Sequence, residues 1–262
     1  MTTRTPIDDL QGYCTTMAQR ARAASHTLVA LNGAKRNALL LSLAEKLRNA
    51  QAKIIEANAV DLRNAQEVGL SSAMVDRLKL DETRIEKVAK SVEQIAAQDD
   101  PIGRIDTGRT LPNGVQLQRR RVPLGVVLII YESRPHVTID AAALCLKSAN
   151  ACILRGGKEA QHSNAALVAC VHQALEEHAL ETTAVQWVET TDRAAVGHLL
   201  KLEGVIDLAI PRGGESLIRA VIEQARIPVI KHYAGNCHIY VDAAADQLPA
   251  AMVREICMNA KT

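Results

Sequence analysis

The sequence contains no phenylalanine, and its few tyrosines and single tryptophan bring the aromatic share to only 2%. A core organised by ring packing is therefore excluded. The interior must be assembled from Ala, Val, Ile and Leu, and a stacking platform for single-stranded nucleic acid has nothing to be built from. Charge of one sign is also missing. Lys and Arg number 31 against 29 Asp and Glu, a formal net charge of +2, which gives no electrostatic case for nucleic acid or an acidic membrane. The one dense basic run, Arg119-Arg120-Arg121, reads as a solvated strand face or an interface contact. No stretch approaches the ~18 apolar residues of a membrane helix. The six cysteines include no Cys-x-x-Cys pair, and most sit inside apolar stretches, where Cys behaves as a small hydrophobe. The opening MTTRTPIDDLQGY has no apolar signal-peptide core. These features predict a reduced, cytoplasmic protein. The G-x-G-x-x-G and P-loop patterns are absent too, which argues against an ordinary dinucleotide fold or a P-loop kinase.

What is present is an ordinary globular composition, 48% hydrophobic and 23% charged over 262 residues, enough for one large domain or two smaller ones. Residues 1–100 read as a helical layer. Leu39, Leu40, Leu43 and Leu47 recur at helical spacing. Ser71 or Ser72 is placed to cap one helix, and Asp81 another whose buried stripe is Ile85, Val88, Val92 and Ile95. Residues 101–122 change character: Pro and Gly break any helix, and Asn113-Gly114 between apolar runs predicts a two-residue hairpin. Such an extended arm is a candidate oligomer contact.

From 123 to 241 the pattern alternates. Strands are predicted at 126–131, 151–154, 184–188, 205–210, 227–230 and 238–241, with helices at about 137–148, 163–177, 192–202 and 214–225. Continuous apolar strands separated by helices predict an α/β domain with a doubly wound parallel sheet buried on both faces. Residues 242–262 read as a turn followed by a helix.

Polar chemistry gathers at strand ends. Glu132-Ser133-Arg134-Pro135, Arg155-Gly156-Gly157-Lys158 and Pro211-Arg212-Gly213-Gly214-Glu215-Ser216 each follow a predicted strand and precede a helix. Glycine lets a ligand approach the backbone, a helix N-terminus offers free N–H groups, and Arg and Lys supply positive charge. The combination suits a phosphorylated ligand such as a dinucleotide, although a single Gly-Gly turn is more often only a tight turn.

The segment YESRPHVTIDAAALCLKSANACILRGGKEAQHSN resembles the γ-glutamyl phosphate reductases, also called glutamate-5-semialdehyde dehydrogenases, a branch of the aldehyde dehydrogenase superfamily. IPRGGESLI, KHYAGNCHIYVD, VGLSSAMVDRLKL and NAKT resemble the same family, and the match runs from about residue 10 to 262. The resemblance implies an aldehyde-dehydrogenase-like fold, with residues 123–241 as an NADP-binding domain and 242–262 as the start of a catalytic domain. It implies NADPH-dependent reduction of L-glutamyl 5-phosphate to L-glutamate 5-semialdehyde and phosphate, a step of proline synthesis. In that chemistry a cysteine thiolate first expels phosphate and holds the acyl group as a thioester. By resemblance, roles carry over residue by residue: Arg155 and Lys158 toward the 2′-phosphate of NADP, Gly156 and Gly157 in their turn, Gly213 and Gly214 toward the pyrophosphate. Ser133, through its hydroxyl or a neighbouring N–H, takes the place of the oxyanion-hole Asn. Arg134 is a candidate for the substrate's phosphate or carboxylate. At His232 many thioester-hydrolysing relatives carry a Glu, so its replacement fits a reductase that must not hydrolyse its thioester; a packed or surface His reads equally well. A metal site from His232, Cys237 and His238 is not expected, because alternate strand residues face opposite ways.

The family's nucleophilic Cys follows Asn-Ala-Lys-Thr by a few residues, so it is expected beyond Thr262. Cys257 does not match that motif. The chain by itself is therefore expected to be inactive. The resemblance further implies a homo-oligomer and a glutamate 5-kinase as a functional partner, with no nucleic-acid or membrane partner. Two other readings stay open: a different member of the superfamily, or a non-catalytic nucleotide-binding module.

Overall fold

The structure, a computed structural model, describes residues 7–232 and 238–261. It divides into two compact units, Met1–Lys231 and His232–Thr262.

The first unit begins with the expected helices: α1 (Leu10–Val29), α2 (Gly33–Asn49), α3 (Gln51–Glu67), α4 (Ser72–Leu78) and α5 (Glu82–Ala97). The starts of α1, α2, α4 and α5 are set by side-chain caps. Asn32 accepts from Lys35 N at 2.9 Å, Ser71 from Met74 N at 3.4 Å and Asp81 from Arg84 N at 2.9 Å. Of the two serines considered at the start of α4, Ser71 is the cap. Leu39, Leu40, Leu43 and Leu47 of α2 are buried, as are Ile85, Val88, Val92 and Ile95 of α5. On the outer side Arg48 of α2 bonds Glu86 and Glu93 of α5.

The arm follows as β1 (Ile105–Thr110) and β2 (Gln116–Arg120), an antiparallel ribbon whose residues are all exposed. Its turn differs from the two-residue loop expected of Asn-Gly. Leu111 N bonds Val115 O at 2.8 Å and Gly114 N bonds Leu111 O at 2.9 Å. The loop is therefore Pro112-Asn113-Gly114, with Gly114 at φ 84°. Pro112 presets the first turn position and the glycine takes the left-handed one. Within the basic run, Arg121 pairs with Asp106 at 3.0 Å.

The remainder of the unit is the α/β layer: β3 (Val126–Tyr131), α6 (His136–Lys147), β4 (Ala151–Arg155), α7 (Gln161–Glu177), β5 (Val185–Trp187), α8 (Ala194–Leu199), β6 (Leu208–Arg212) and α9 (Glu215–Gln224). The sheet is parallel, in the order β5-β4-β3-β6. Every residue of β3 is buried, as a central strand covered on both faces requires.

Three strand expectations are corrected. The strand expected at 205–210 lies at Leu208–Arg212, because residues 201–206 close in turns that bond Val205 N and Ile206 N back to Leu202 O. Residues 227–230 form only a bridge, Ala209↔Val229. Pro228 has no N–H to extend a ladder, and contributes its carbonyl to Ala209 N at 2.8 Å. Residues 238–241 are exposed and do not form a strand. In the second unit, Asp242 caps a single 3₁₀ turn at Ala243–Gln247, and α10 (Ala250–Lys261) follows.

One buried cation ties the helical layer to the sheet layer. Lys147, at the end of α6, is 4% exposed. Its ammonium donates to Asn37 Oδ1 at 2.7 Å, Ala96 O at 2.8 Å and Gln98 O at 2.7 Å, so all three of its donors are used. The carbonyls belong to the C-terminal end of α5, where a positive charge is favoured. Lys147→Met keeps the stem but strands three acceptors, and is expected to cost about 3 kcal/mol of unfolding free energy, read as a lower urea midpoint.

Candidate functional site

From β3 the chain builds outward through β4 to β5, then returns to place β6 against the other side of β3. The direction of winding reverses between β3 and β6. In an open parallel sheet, the crevice beyond the carboxyl ends of such strands is the ligand site. There Tyr131 pairs with Arg212, so the Glu132-Ser133-Arg134 turn and the Gly213-Gly214 turn stand side by side.

Both turns are held by carboxylates. Glu132 N donates to Arg212 O at 3.3 Å, and the Glu132 carboxylate accepts from Gly214 N at 3.0 Å, at the start of α9. A Cβ on Gly213 would lie 2.6 Å from the Glu132 carboxyl carbon, so a larger residue there would have to displace that carboxylate. The N-terminus of α9 thus already accepts an anion, and it is the chain's own. Ser133 has φ 30°, a backbone conformation costly for a residue with a side chain. Its N–H donates to Glu159 Oε1 at 2.9 Å, and its hydroxyl donates to the same oxygen. Glu159 therefore takes up both donors assigned to oxyanion stabilisation. Glu132 and Glu159 were not singled out from the sequence as partners of these turns. Nothing in a single sequence indicates which carboxylate will reach a turn across the sheet.

The β4 turn is built differently from what a cofactor contact alone would require. The Arg155 guanidinium donates to Gly156 O at 2.6 Å and to Thr191 O at 3.1 Å, clasping the loops after β4 and β5. Burial pushes this guanidinium below its ordinary value. Gly156 faces a buried polar chain: the Tyr131 hydroxyl shares a 2.7 Å hydrogen bond with Thr138 Oγ1, which donates to Asn164 Oδ1 at 2.9 Å. A Cβ on Gly156 would lie 2.3 Å from Asn164 Nδ2 and 3.1 Å from the Tyr131 ring. At Gly157 it would lie 2.2 Å from Glu159 Oε1. Lys158, by contrast, is exposed. Of the two residues assigned to a 2′-phosphate, Lys158 is the one with a side chain in solvent, while Arg155 already serves the local backbone. Arg134 is exposed and lines a cleft with His136 and Asp140.

Cys14, Cys145, Cys152 and Cys170 are buried. Burial holds the thiols of Cys14 and Cys170 up at about 11, where a nucleophilic thiolate is scarce at neutral pH. Cys257 lies in α10. His232 is exposed. Cys237, with Tyr233 to Asn236 of the KHYAGN motif, lies outside the described residues.

The model of the aldehyde dehydrogenase family matches residues 12–261. A γ-glutamyl phosphate reductase of Rhodopirellula baltica is 51% identical over 254 residues, covering 97% of this chain and 58% of that protein. The crystal structure of γ-glutamyl phosphate reductase from Thermotoga maritima superposes with a TM-score of 0.83 at 38% identity, over 88% of this chain and 56% of that one. An acetylating aldehyde dehydrogenase from Geobacillus thermoglucosidasius, at 17% identity and a TM-score of 0.66, shares the fold, over 84% of this chain and 46% of that one. The chain thus spans somewhat more than half the length of the curated relatives it matches.

Gly156→Ala is expected to destabilise by about 2 kcal/mol, since the turn has no room for a methyl group against Asn164 and Tyr131. Thermal unfolding monitored by far-UV circular dichroism checks this.

Proposed function

The chain belongs to the aldehyde dehydrogenase family, and from that premise we propose that it forms the cofactor-binding part of an NADPH-dependent γ-glutamyl phosphate reductase, reducing L-glutamyl 5-phosphate to L-glutamate 5-semialdehyde and phosphate. The chain spans 58% of a curated relative's length, so the reaction is proposed for a polypeptide that carries this segment together with the nucleophilic cysteine. The observation that carries the reading is the α9 N-terminus at the β3/β6 crevice, where Gly214 N already binds a carboxylate.

These residues fit a dinucleotide. The α9 amides would hold the pyrophosphate once the Glu132 carboxylate moves aside, and Gly213-Gly214 leave the backbone open to it. Lys158 would meet the 2′-phosphate, with Arg155 keeping the β4 turn in place and adding a second positive charge. When bound, NADPH supplies the hydride. The acyl group would lie beside Ser133, whose N–H and hydroxyl would stabilise a developing oxyanion after release from Glu159. Holding the two donors on a carboxylate beforehand keeps the turn assembled.

The coarser supports are plain. Relatives at about half identity over nearly the whole chain are named γ-glutamyl phosphate reductases, and no helix among the described residues is long and apolar enough to cross a membrane. We take the protein to be cytoplasmic and to act in proline synthesis, receiving its labile acyl phosphate from a glutamate 5-kinase. The β1–β2 ribbon buries none of its residues. A two-stranded ribbon is marginal alone in water, so we assign it to contact with a second copy of the chain in a homo-oligomer.

The test is calorimetric titration of the chain with NADPH and with NADH. Lys158→Ala is expected to weaken NADPH by about tenfold, the loss of one charge-assisted contact, and to leave NADH unchanged. Arg155→Ala is expected to weaken both, because it also releases the β4 turn. Unchanged NADPH affinity in the Lys158 variant would contradict the assignment.

A further inference from the structure

Residues 76–91 and 134–140 line an open cleft of about 430 Å3 at the start of α6, within the range of small-molecule sites. Its walls carry Arg77, Lys79, Arg84, Lys87 and Arg134 against only two acids, Asp76 and Asp140. Two of the bases are already engaged. Arg84 pairs with Asp76 at 2.6 Å and donates to Lys79 O at 3.0 Å, which fixes the segment after α4. Lys79 lies 3.4 Å from Asp81. Arg77, Lys87 and Arg134 form no salt bridge among the described residues. Three such cations around one open cleft repel one another and raise the local concentration of anions.

The cleft is not uniformly basic. Asp140, on α6, accepts from Ser91 Oγ at 3.4 Å and stands beside His136. Burial raises the carboxyl of Asp140 and lowers the imidazole of His136. A ligand matched to this lining carries two anionic groups and one ammonium. Arg134 directly follows Ser133, which places the cleft next to the turn with the oxyanion donors.

Resting on the function proposed above, we infer that this cleft holds the acyl phosphate substrate itself. Arg134 receives the phosphate end beside Ser133, Arg77 and Lys87 receive the α-carboxylate, and Asp140 receives the α-ammonium. The α4 region then belongs to substrate recognition rather than to a purely structural helical layer.

The experiment is calorimetric titration of the chain with a non-hydrolysable acyl phosphonate analogue of glutamyl phosphate, with L-glutamate and with inorganic phosphate. Arg77→Gln and Lys87→Gln are each expected to weaken the analogue and glutamate by about tenfold, as loss of one charged hydrogen bond does. They are expected to spare inorganic phosphate, while Arg134→Gln weakens it. Lys87→Arg is expected to retain binding within about threefold, and NADPH affinity to stay unchanged in all variants, which reports an intact fold. Absence of analogue binding by the parent chain, or unaltered affinity in the Arg77 and Lys87 variants, would overturn the inference. If another amino-bearing acid bound more tightly than the glutamyl analogue and lost affinity in the same variants, the cleft assignment would stand and the glutamyl identity of the substrate would fall.

Discussion

The burial of β3 on both faces is the constraint on which the rest of the structure depends. All six of its residues lie in the core, and it carries the sheet's reversal, with β4 on one side and β6 on the other. A strand so placed has its carboxyl end fixed by hydrogen bonds from both neighbours. The turn that leaves it inherits that precision. Ser133 is held at φ 30° because the strand, Glu159 and the start of α6 together leave it no alternative. The near-absence of aromatic residues has its counterpart here. The one large ring in this strand, Tyr131, packs against Gly156 and reaches Thr138 and Asn164 by hydrogen bonds. A single phenol thus joins the ends of β3 and β4 to the starts of α6 and α7.

The helical layer is coupled to this edge through polar contacts rather than through apolar area alone. Asp61 of α3, 2% exposed, accepts from the backbone N–H of His162 at 3.1 Å and of Ser163 at 2.8 Å, and from Ser163 Oγ at 2.6 Å. It caps α7 from another helix, where a negative charge is favoured. Asn58, one turn earlier, donates to Leu78 O and to Ser163 Oγ and accepts from Leu80 N. The segment that carries Arg77 and Lys79 is therefore pinned to the start of α7, and the cleft walls are set by the same network that positions the β4 turn.

Much of this was legible in the residues. Strand β3 was expected at its observed bounds, because an unbroken apolar run between turns has one interpretation in a parallel sheet. The cap at Asp81, and a cap at Ser71 or Ser72, followed from local side-chain chemistry. The failures are also physical. Residues 227–230 and 238–241 have strand-like composition, but a strand exists only with a neighbour to bond, and neighbours are set by distant parts of the chain. The Asn-Gly signal gave the hairpin but not its length, since Pro112 shifted the turn by one residue. At the site, Ser133 and the Gly213-Gly214 turn were expected to offer donors. Their engagement by Glu159 and Glu132 was not, because each pairing joins segments whose meeting is decided by sheet order.

The central claim is that the β3/β6 edge is a dinucleotide cradle whose anion positions are held by the chain's own carboxylates. Hydrogen–deuterium exchange of the chain with and without NADPH tests it most directly. The account predicts slower exchange at the backbone amides of residues 213–217 and 156–160 on NADPH addition, with the β1–β2 ribbon unchanged. Protection confined to other segments, with exchange at the start of α9 unaltered, would contradict it.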